Sequence, residues 1–272
     1  MNFFDIILIQ PFTNALVFFY TQLQAMNISN ALGWSIVLLT IVIRFAIYPI
    51  MQQSLHQQKK MQLVAPKIAK IKEKYKNDTQ AQQMAQIALF KEEKINPASG
   101  CLLMLVQIPI IFALYQVLLN VITADKVDMI NRFMYIDGLK LTELWERSFF
   151  GISLAIKPQE MMANTAVLAI SVAVITGILQ LIQSKMMTPK AADKPKPKTN
   201  GEPDFATTLQ TQMLYMMPIM VGFFAFTFPI GISLYWNTFT IFGIIQQYLV
   251  QGWGGLVDWF PFLDKKPVSK FK

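Results

Sequence analysis

The sequence predicts an all-α polytopic membrane protein with a core of five transmembrane helices, an N-terminal interfacial helix and a cytoplasmic helical hairpin. The first observation is composition: 54% of the 272 residues are hydrophobic and 15% are charged, whereas globular domains in water carry about 25% charged residues. The second is that the apolar residues fall in long stretches almost free of charge, which are typical of helices solvated by lipid. The third is that these stretches lack the period-2 alternation of membrane β-strands.

Four apolar stretches define the predicted core, and they cover residues 34–51, 101–124, 161–184 and 209–251. The last stretch has 43 residues, which as one helix would be about 65 Å long, roughly twice the hydrocarbon thickness of a bilayer. The motif Phe228-Pro229-Ile230-Gly231 near its middle supplies a helix breaker. This stretch therefore predicts two spans joined by a tight turn, and the core of residues 29–251 then has five.

Residues 1–28 are predicted to form a helix that lies in the membrane interface, with an additional span as the alternative. Asp5, Gln10 and Pro11 interrupt the apolar run 3–19. The polar residues Asn14, Gln22 and Gln24 lie where a span should continue, which suits an interfacial helix. A cleaved signal peptide is not expected, because the run has no basic residues before it.

The basic residues are distributed unevenly between the two sides of the predicted core. Eighteen of them lie in three groups, which are the segment 52–96, the loop between the third and fourth spans, and the tail 252–272. The segment 123–160 contains five. The positive-inside rule places the three rich groups in the cytoplasm. We therefore expect a cytoplasmic C-terminus, an outer segment 123–160 and an N-terminus outside. The loop 188–208 is rich in proline and lysine, which predicts disorder.

The segment 52–96 predicts two amphipathic helices joined by a turn. Apolar residues recur with alternating spacings of 3 and 4, namely Met61, Val64, Ile68, Ile71 and Tyr75. The hairpin is either a solvated connector or a docking arm, although a connector between adjacent helices needs only about 2–8 residues. Its candidate contact residues for a partner are Lys59, Lys60, Lys67, Lys70 and Lys74.

Arg44 is the only charged residue well inside a predicted span, and the five spans contain no Asp or Glu. A charge at that depth costs about 2.5–3.5 kcal/mol even on insertion scales. One interpretation is that Arg44 reaches the interface with its long side chain, which its position near mid-span makes awkward. The other is that water or neutral polar groups surround it in a cavity. The neutral candidates are Gln107, Gln180, Gln183, Asn237, Thr238, Thr240 and Gln246.

The residues that are scarce or missing also restrict the function. A single cysteine (Cys101) and a single histidine (His56) exclude disulfides within the chain and sites built from several Cys or His. Without a titratable acid in the spans, a proton-coupled carrier is disfavoured. We therefore predict no catalytic residues, no metal site and no cofactor, and no enzymatic activity.

Several motifs follow one another in a specific order, and they are Trp34-Ser35-Ile36 leading to Arg44 and Tyr48-Pro49, Pro66-Lys67-Ile68, Asn96-Pro97, Gly100-Cys101, Gln107-Ile108-Pro109, Phe228-Pro229-Ile230-Gly231, Leu234-Tyr235-Trp236 and Gln246-Gln247. With these motifs the chain resembles the YidC/Oxa/Alb family of membrane protein insertases over essentially its whole length. The resemblance implies insertion and folding of nascent membrane proteins in a bacterial plasma membrane, without covalent chemistry or a cofactor.

The resemblance also implies roles for individual residues. Arg44 would lie in a hydrophilic groove, with Gln107, Gln183, Trp236 and Asn237 as candidate lining residues. The second and fourth spans would form a hydrophobic slide, with the candidates Met104, Ile108, Met216, Met217 and Met220. The hairpin would receive substrates and contact the Sec translocon, the ribosome or targeting components. Membrane lipids are expected partners and DNA is not. The residues alone leave two alternatives open, a small-solute transporter or channel and an assembly chaperone.

Overall fold

The computed structural model describes residues 2–76, 78–96, 99–190 and 205–263. The chain is mostly helical, as predicted. A π-helical turn, Asp5–Ile9, leads into α1 (Gln10–Ala25), and the other helices are α2 (Ala31–Ala46), α3 (Tyr48–Lys74), α4 (Thr79–Glu92), α5 (Ser99–Ile122), α6 (Asp128–Asn131), α7 (Met162–Met186), α8 (Phe205–Thr227) and α9 (Ile230–Gln251). Two short strands, β1 (Ser148–Phe149) and β2 (Ile152–Ser153), pair in antiparallel fashion. The central part of the predicted disordered loop, 191–204, and the end of the tail, 264–272, lie outside the described residues.

The chain divides into two compact units. The first unit consists of Met1–Ala46, Val106–Gln180 and Met217–Phe242, and the second of Ile47–Leu105, Leu181–Met216 and Gly243–Lys272. The first unit therefore contains Arg44, and the second contains the segment predicted to be a hairpin.

Within the described residues, two helical stretches are long and apolar enough to cross a membrane, Asp5–Ala25 and Pro158–Met186. The neighbouring helices α2 and α3, broken at Ile47, pass the same test as a pair and would make a third span. Shorter apolar helical stretches occur at Gln107–Ile122 and Leu214–Thr227. The count of five spans stays a prediction, and Asp5–Ala25 has the length required by the alternative of an additional span.

The structure ends the first predicted stretch earlier than residue 51. α2 ends at Ala46, and α3 begins at Tyr48 with Pro49 in its first turn. Proline has no N–H and its ring clashes with the carbonyl four residues earlier, so it fits the first turn of a helix better than the interior, where it kinks or breaks the helix. Residues 48–51 therefore form the first turn of α3 and do not continue α2.

The outer segment of the prediction, residues 123–160, folds back onto α1 within the first unit. The Trp145 ring packs edge-on against Tyr20 with a centroid distance of 5.0 Å, and its indole N–H donates to the Val121 carbonyl at 3.3 Å. The Asn14 amide donates to the Phe133 carbonyl at 3.0 Å. The contacts with Tyr20 and Asn14 join residues more than a hundred positions apart, so the segment is a packed part of the unit.

Helices α7 and α8 approach each other through two glycines. A Cβ on Gly222 would lie 3.3 Å from the Ala173 carbonyl oxygen and 3.6 Å from the Gly177 Cα. Small residues at such crossings allow backbones to come close, which is how helices associate in membranes without a hydrophobic driving force.

In the second unit, α3 and α4 are joined by a short turn and share an apolar cluster. Val64, Leu89 and Ile95 form its buried centre, and Met61, Ile68, Ile71 and Phe90 pack around them. Four of these seven residues belong to the predicted seam. The carboxylate of Asp78 caps α4 by accepting the Ala81 N–H at 2.9 Å, which satisfies one free donor of the first turn.

An ion pair also links the two sides of this element. The Lys67 ammonium donates to the Glu93 carboxylate, and this hydrogen bond, followed by the charge attraction, raises the pKa of Lys67 above its usual value. Because both groups are solvent-accessible, such a pair contributes little to stability. The apolar cluster is therefore the main interaction that holds α4 against α3.

We expect the cluster to control the stability of α4. Leu89 is 8% exposed and Leu63 is 70% exposed, so Leu89→Ala and Leu63→Ala remove the same atoms from a buried and an open site. Leu89→Ala should destabilise α4 by about 2 kcal/mol, which corresponds to roughly 30-fold faster amide hydrogen exchange. Leu63→Ala should leave the exchange of α4 unchanged. Equal protection of α4 in the two variants would contradict a cluster-based interface.

Candidate functional site

Arg44 lies in the last turn of α2 and is completely buried, with 0% exposure. Its guanidinium stacks on the ring of Phe239 at 3.3 Å from the centroid, and Nη2 donates to the Phe239 backbone carbonyl. The ring of Phe242 lies 5.9 Å away. The contacts of the cation are therefore an aromatic face and a carbonyl dipole, both neutral and both supplied by α9.

The spacing of residues on α9 explains this arrangement. Tyr235, Phe239 and Phe242 occupy positions i, i+4 and i+7, which lie on one face of a helix. Tyr235 is buried, and its ring packs against that of Phe239 with a centroid distance of 5.8 Å. The aromatic face of α9 thus lies against the guanidinium.

The hydrogen-bonding capacity of this site is only partly used. Within the described part of the chain, Nε and Nη1 of Arg44 have no hydrogen-bond partner, and neither does the Tyr235 hydroxyl or the Thr240 hydroxyl. A buried donor left unmatched costs about 1–3 kcal/mol, and more when it is charged. The site therefore offers unmatched donors to a group that arrives from elsewhere, and an anionic or carbonyl oxygen fits them best.

The structure places the predicted groove residues in different surroundings. Gln107, Trp236 and Asn237 belong to the first unit with Arg44, and Gln183 belongs to the second. In the described residues the Gln107 Nε2 and the Asn237 Oδ1 are buried without a partner. The Trp236 indole donates to the Gln180 side-chain oxygen at 3.3 Å. A common role of these residues in one groove stays a prediction.

Sequence reasoning missed the residues that touch Arg44 most closely. It selected neutral polar side chains, whereas the observed partners are the ring and backbone carbonyl of Phe239 and the ring of Phe242. A backbone carbonyl carries no signal in the sequence. The aromatic spacing on α9 does carry one, because three aromatic residues recur on a single face opposite an unpaired arginine.

The second unit contains its own set of buried amides. Gln246 and Gln247 are buried, and the Gln246 amide donates to the Tyr48 carbonyl at 3.3 Å. The Gln251 amide donates to the Leu55 carbonyl at 2.8 Å. Both amide atoms of Gln247 lack a partner among the described residues. Neutral amides lose less solvation on burial than charges do, so this set adds polarity at a lower cost than a second arginine would.

The candidate slide residues are largely open. Ile108, Met216 and Met220 are exposed, Met217 is half-buried, and the side chain of Met104 lies outside the described ones. The exposed residues of α8 recur at helical spacing on one face, and they are Tyr215, Met216, Ile219, Met220 and Phe223. This face suits an apolar solvent or an apolar segment.

The five candidate lysines of the segment 52–96 are all exposed. Lys59 donates to the Val250 carbonyl at 3.1 Å within the second unit, and Lys67 pairs with Glu93. Lys74 lies 5.1 Å from the Tyr75 ring centroid. Within the described residues, three or more His, Cys, Asp or Glu side chains that could hold a metal ion do not come together.

Comparison with known proteins agrees with this architecture. The model of the family described as 60Kd inner membrane protein matches residues 24–254. The chain is similar to proteins named membrane protein insertase YidC from Geobacter sulfurreducens, with 30% identity over 90% of this chain and 37% of the relative, and from Janthinobacterium sp., with 32% identity over 88% and 37%. The relative from Pelagibacter ubique is 34% identical over 80% of this chain and 35% of its own length.

A solved structure shares the fold. It is described as an active YidC insertase with the first transmembrane domain resolved, and it matches with a TM-score of 0.53 and 24% identity over 87% of this chain and 45% of that one. The chain thus spans little more than a third of the length of the curated relatives it matches. The similarity to the solved structure concerns the fold alone.

We predict that the charge of Arg44 does not stabilise the fold and that its volume does. Arg44→Met keeps a long side chain on the Phe239 ring and removes a buried charge that has no ion partner, so it should be neutral or stabilising. Arg44→Ala leaves a cavity and should cost about 2–5 kcal/mol, or roughly 4–20 °C in the midpoint of thermal unfolding. The measurement is thermal unfolding of the purified protein in lipid nanodiscs. A lower midpoint for Arg44→Met than for Arg44→Ala would refute this assignment.

Proposed function

The chain belongs to the 60Kd inner membrane protein family, which confirms the resemblance to the YidC/Oxa group, and we propose that it inserts nascent membrane proteins into the bilayer. The observation that carries the proposal is the buried guanidinium of Arg44, with two nitrogens unmatched in the described part of the chain. Family membership and the apolar helices indicate a multi-pass protein of a bacterial inner membrane. We propose further that its C-terminus is cytoplasmic and its N-terminus outside, as the lysine distribution predicts.

The first step of the mechanism concerns the polar flank of a substrate. A transmembrane segment of about 20 apolar residues enters lipid favourably, whereas its charged flank must cross a medium of low dielectric constant. The unmatched N–H groups of Arg44 and the Tyr235 hydroxyl would donate to carboxylates and carbonyls of this flank. These hydrogen bonds would lower the free-energy barrier to moving the flank across the membrane. Neither a covalent intermediate nor a nucleotide is required.

The second step concerns the apolar segment itself. The exposed face of α8 contains methionine and aromatic residues, and flexible thioethers adapt to partners of different shape. We assign this face, together with Ile108 on α5, to the hydrophobic slide. A substrate helix on this surface would exchange one apolar environment for another, so its release into lipid requires little free energy. The same surface would support a role in folding newly inserted proteins.

The third step concerns reception of the substrate. The exposed lysines of α3 give the segment 52–96 a positive surface, and its length exceeds that of an ordinary connector. We propose that this hairpin lies in the cytoplasm, where it contacts the Sec translocon, the ribosome or targeting components. This assignment rests on the uneven distribution of basic residues and on the packed α3–α4 cluster, which gives the hairpin a fixed surface.

We expect Arg44 to distinguish substrates by the charge of their translocated tail. Proteoliposomes with the wild type, Arg44→Met or Arg44→Lys would receive a short single-span substrate with either an acidic or an uncharged tail, and protease protection of the tail would report insertion. A hydrogen bond to a charged group contributes about 1.5–3 kcal/mol, so Arg44→Met should slow insertion of the acidic tail by roughly tenfold or more. Arg44→Lys should largely retain it, and Arg44→Ala should show the same loss as Arg44→Met.

The uncharged tail is the matched control for this experiment, because it tests the slide without the charge. All variants should insert it at similar rates if they remain folded. If wild type and Arg44→Met inserted the acidic tail equally well, Arg44 would have no role in substrate reception. If the wild type failed to protect either tail while empty vesicles behaved identically, insertase activity itself would be excluded.

A further inference from the structure

The β1–β2 hairpin has a tip that sequence rules do not favour. Phe149 pairs with Ile152, so the connecting loop consists of Phe150 and Gly151 alone. Both have positive φ, at 50° and 79°. Two-residue hairpin loops of this kind prefer Asn, Asp or Gly at both positions, and a bulky residue with positive φ is a genuine outlier. Phe150 is therefore held in a strained conformation that projects its ring from the tip.

The tip is fixed to the turn that precedes α2. The Phe150 N–H donates to the Asn30 side-chain oxygen at 2.7 Å. The Trp34 ring packs edge-on against Phe149 and Phe150, with centroid distances of 5.6 and 6.3 Å. Gly33 lies directly against the Phe149 ring, with no room for a Cβ. The hairpin and the first turn of α2 thus form one rigid aromatic cluster, defined here as Trp34, Phe149 and Phe150.

This cluster is open to its surroundings although it is apolar. Phe150 is 69% exposed and Trp34 is 39% exposed. Packing explains the position of Phe149, but it does not explain why the most exposed ring occupies a strained position at which Asn or Gly would be relaxed. A strained residue held by its surroundings indicates a functional constraint.

The position of the cluster along the chain indicates what covers it. α2 begins at Ala31 and is apolar up to Arg44, whereas the preceding turn contains Asn27 and Asn30. Trp34 lies one helical turn from the start of α2, and a helix that enters a bilayer with its first residues passes from headgroups into hydrocarbon at about this level. Trp is enriched at this depth because its indole is apolar but carries one polar N–H, and Phe rings contribute apolar contacts at the boundary of headgroups and acyl chains.

We propose that the aromatic cluster of Trp34, Phe149 and Phe150 inserts into the phospholipid headgroup region at the amino-terminal end of α2, and that Phe150 is its deepest contact. The hairpin is then a membrane anchor for the segment 123–160, and the strain at Phe150 is compensated by burial of its ring in lipid. The proposal requires that α2 enters the bilayer, and it does not require insertase activity.

The test places a fluorescent label at the tip and at a control position. In a Cys101→Ser background, Phe150→Cys and Asp137→Cys would each be labelled with bimane in nanodiscs. Asp137 belongs to the same segment, and its side chain is highly exposed. Lipids with a nitroxide near the headgroup should quench the label at 150 at least about twofold more than the label at 137, because interfacial aromatic positions lie at that depth. Aqueous iodide should show the opposite order.

Crosslinking provides a second readout that keeps an aromatic ring at the tip. Benzoylphenylalanine at position 150, activated by light in nanodiscs, should yield protein with the added mass of one phospholipid, whereas the same group at position 137 should not. Lipid adducts absent at 150, or a label at 150 quenched by iodide like that at 137, would overturn the proposal. A label at 150 that neither quencher reaches would overturn it as well, since the ring would then be covered by protein.

Discussion

The main constraint on the structure is the free-energy cost of burying the Arg44 guanidinium with no anion beside it among the described residues. A fixed carboxylate would satisfy Arg44 permanently, and the pair would then be a structural ion pair. The observed partners, the ring and carbonyl of Phe239, are weaker and leave Nε and Nη1 unmatched within the described residues. A cation solvated in this way keeps two unmatched nitrogens, and the proposed role in substrate reception depends on them.

The surrounding helices limit this cost through neutral polarity and close packing. α9 presents an aromatic face to the cation. Backbone contact between Gly177 and Gly222 supplies packing that does not depend on polar groups. A neutral aromatic face and close backbone packing thus allow the first unit to accommodate one buried charge.

The sequence predicted the helical class, the family, the break at Phe228-Pro229 and the exceptional status of Arg44, because each is encoded in composition, local breakers or a motif. It did not reveal the contacts of Arg44, since the Phe239 carbonyl belongs to the backbone. It also did not reveal that the helix breaks at Ile47 inside the stretch 34–51, although Pro49 in the first turn of α3 is consistent with that break. The β1–β2 hairpin was missed because strands of two residues have no periodicity, and a Phe-Gly loop lacks the usual turn signal.

The same distinction between local pattern and long-range contact bears on α1. Its polar residues favoured an interfacial helix when judged from the sequence, because a span should not expose Asn14 to lipid. In the structure Asn14 is buried, its amide donates to the Gln10 and Phe133 carbonyls, and its oxygen accepts the Tyr135 N–H. The exposed apolar side chains of the π-helical turn and α1 include Ile6, Ile7 and Phe18. A polar residue satisfied by the protein does not oppose insertion, so the polarity of Asn14 no longer argues against a span. Asp5–Ala25 is long and apolar enough to cross a membrane, and the segment 123–160 covers the side of α1 that carries Asn14.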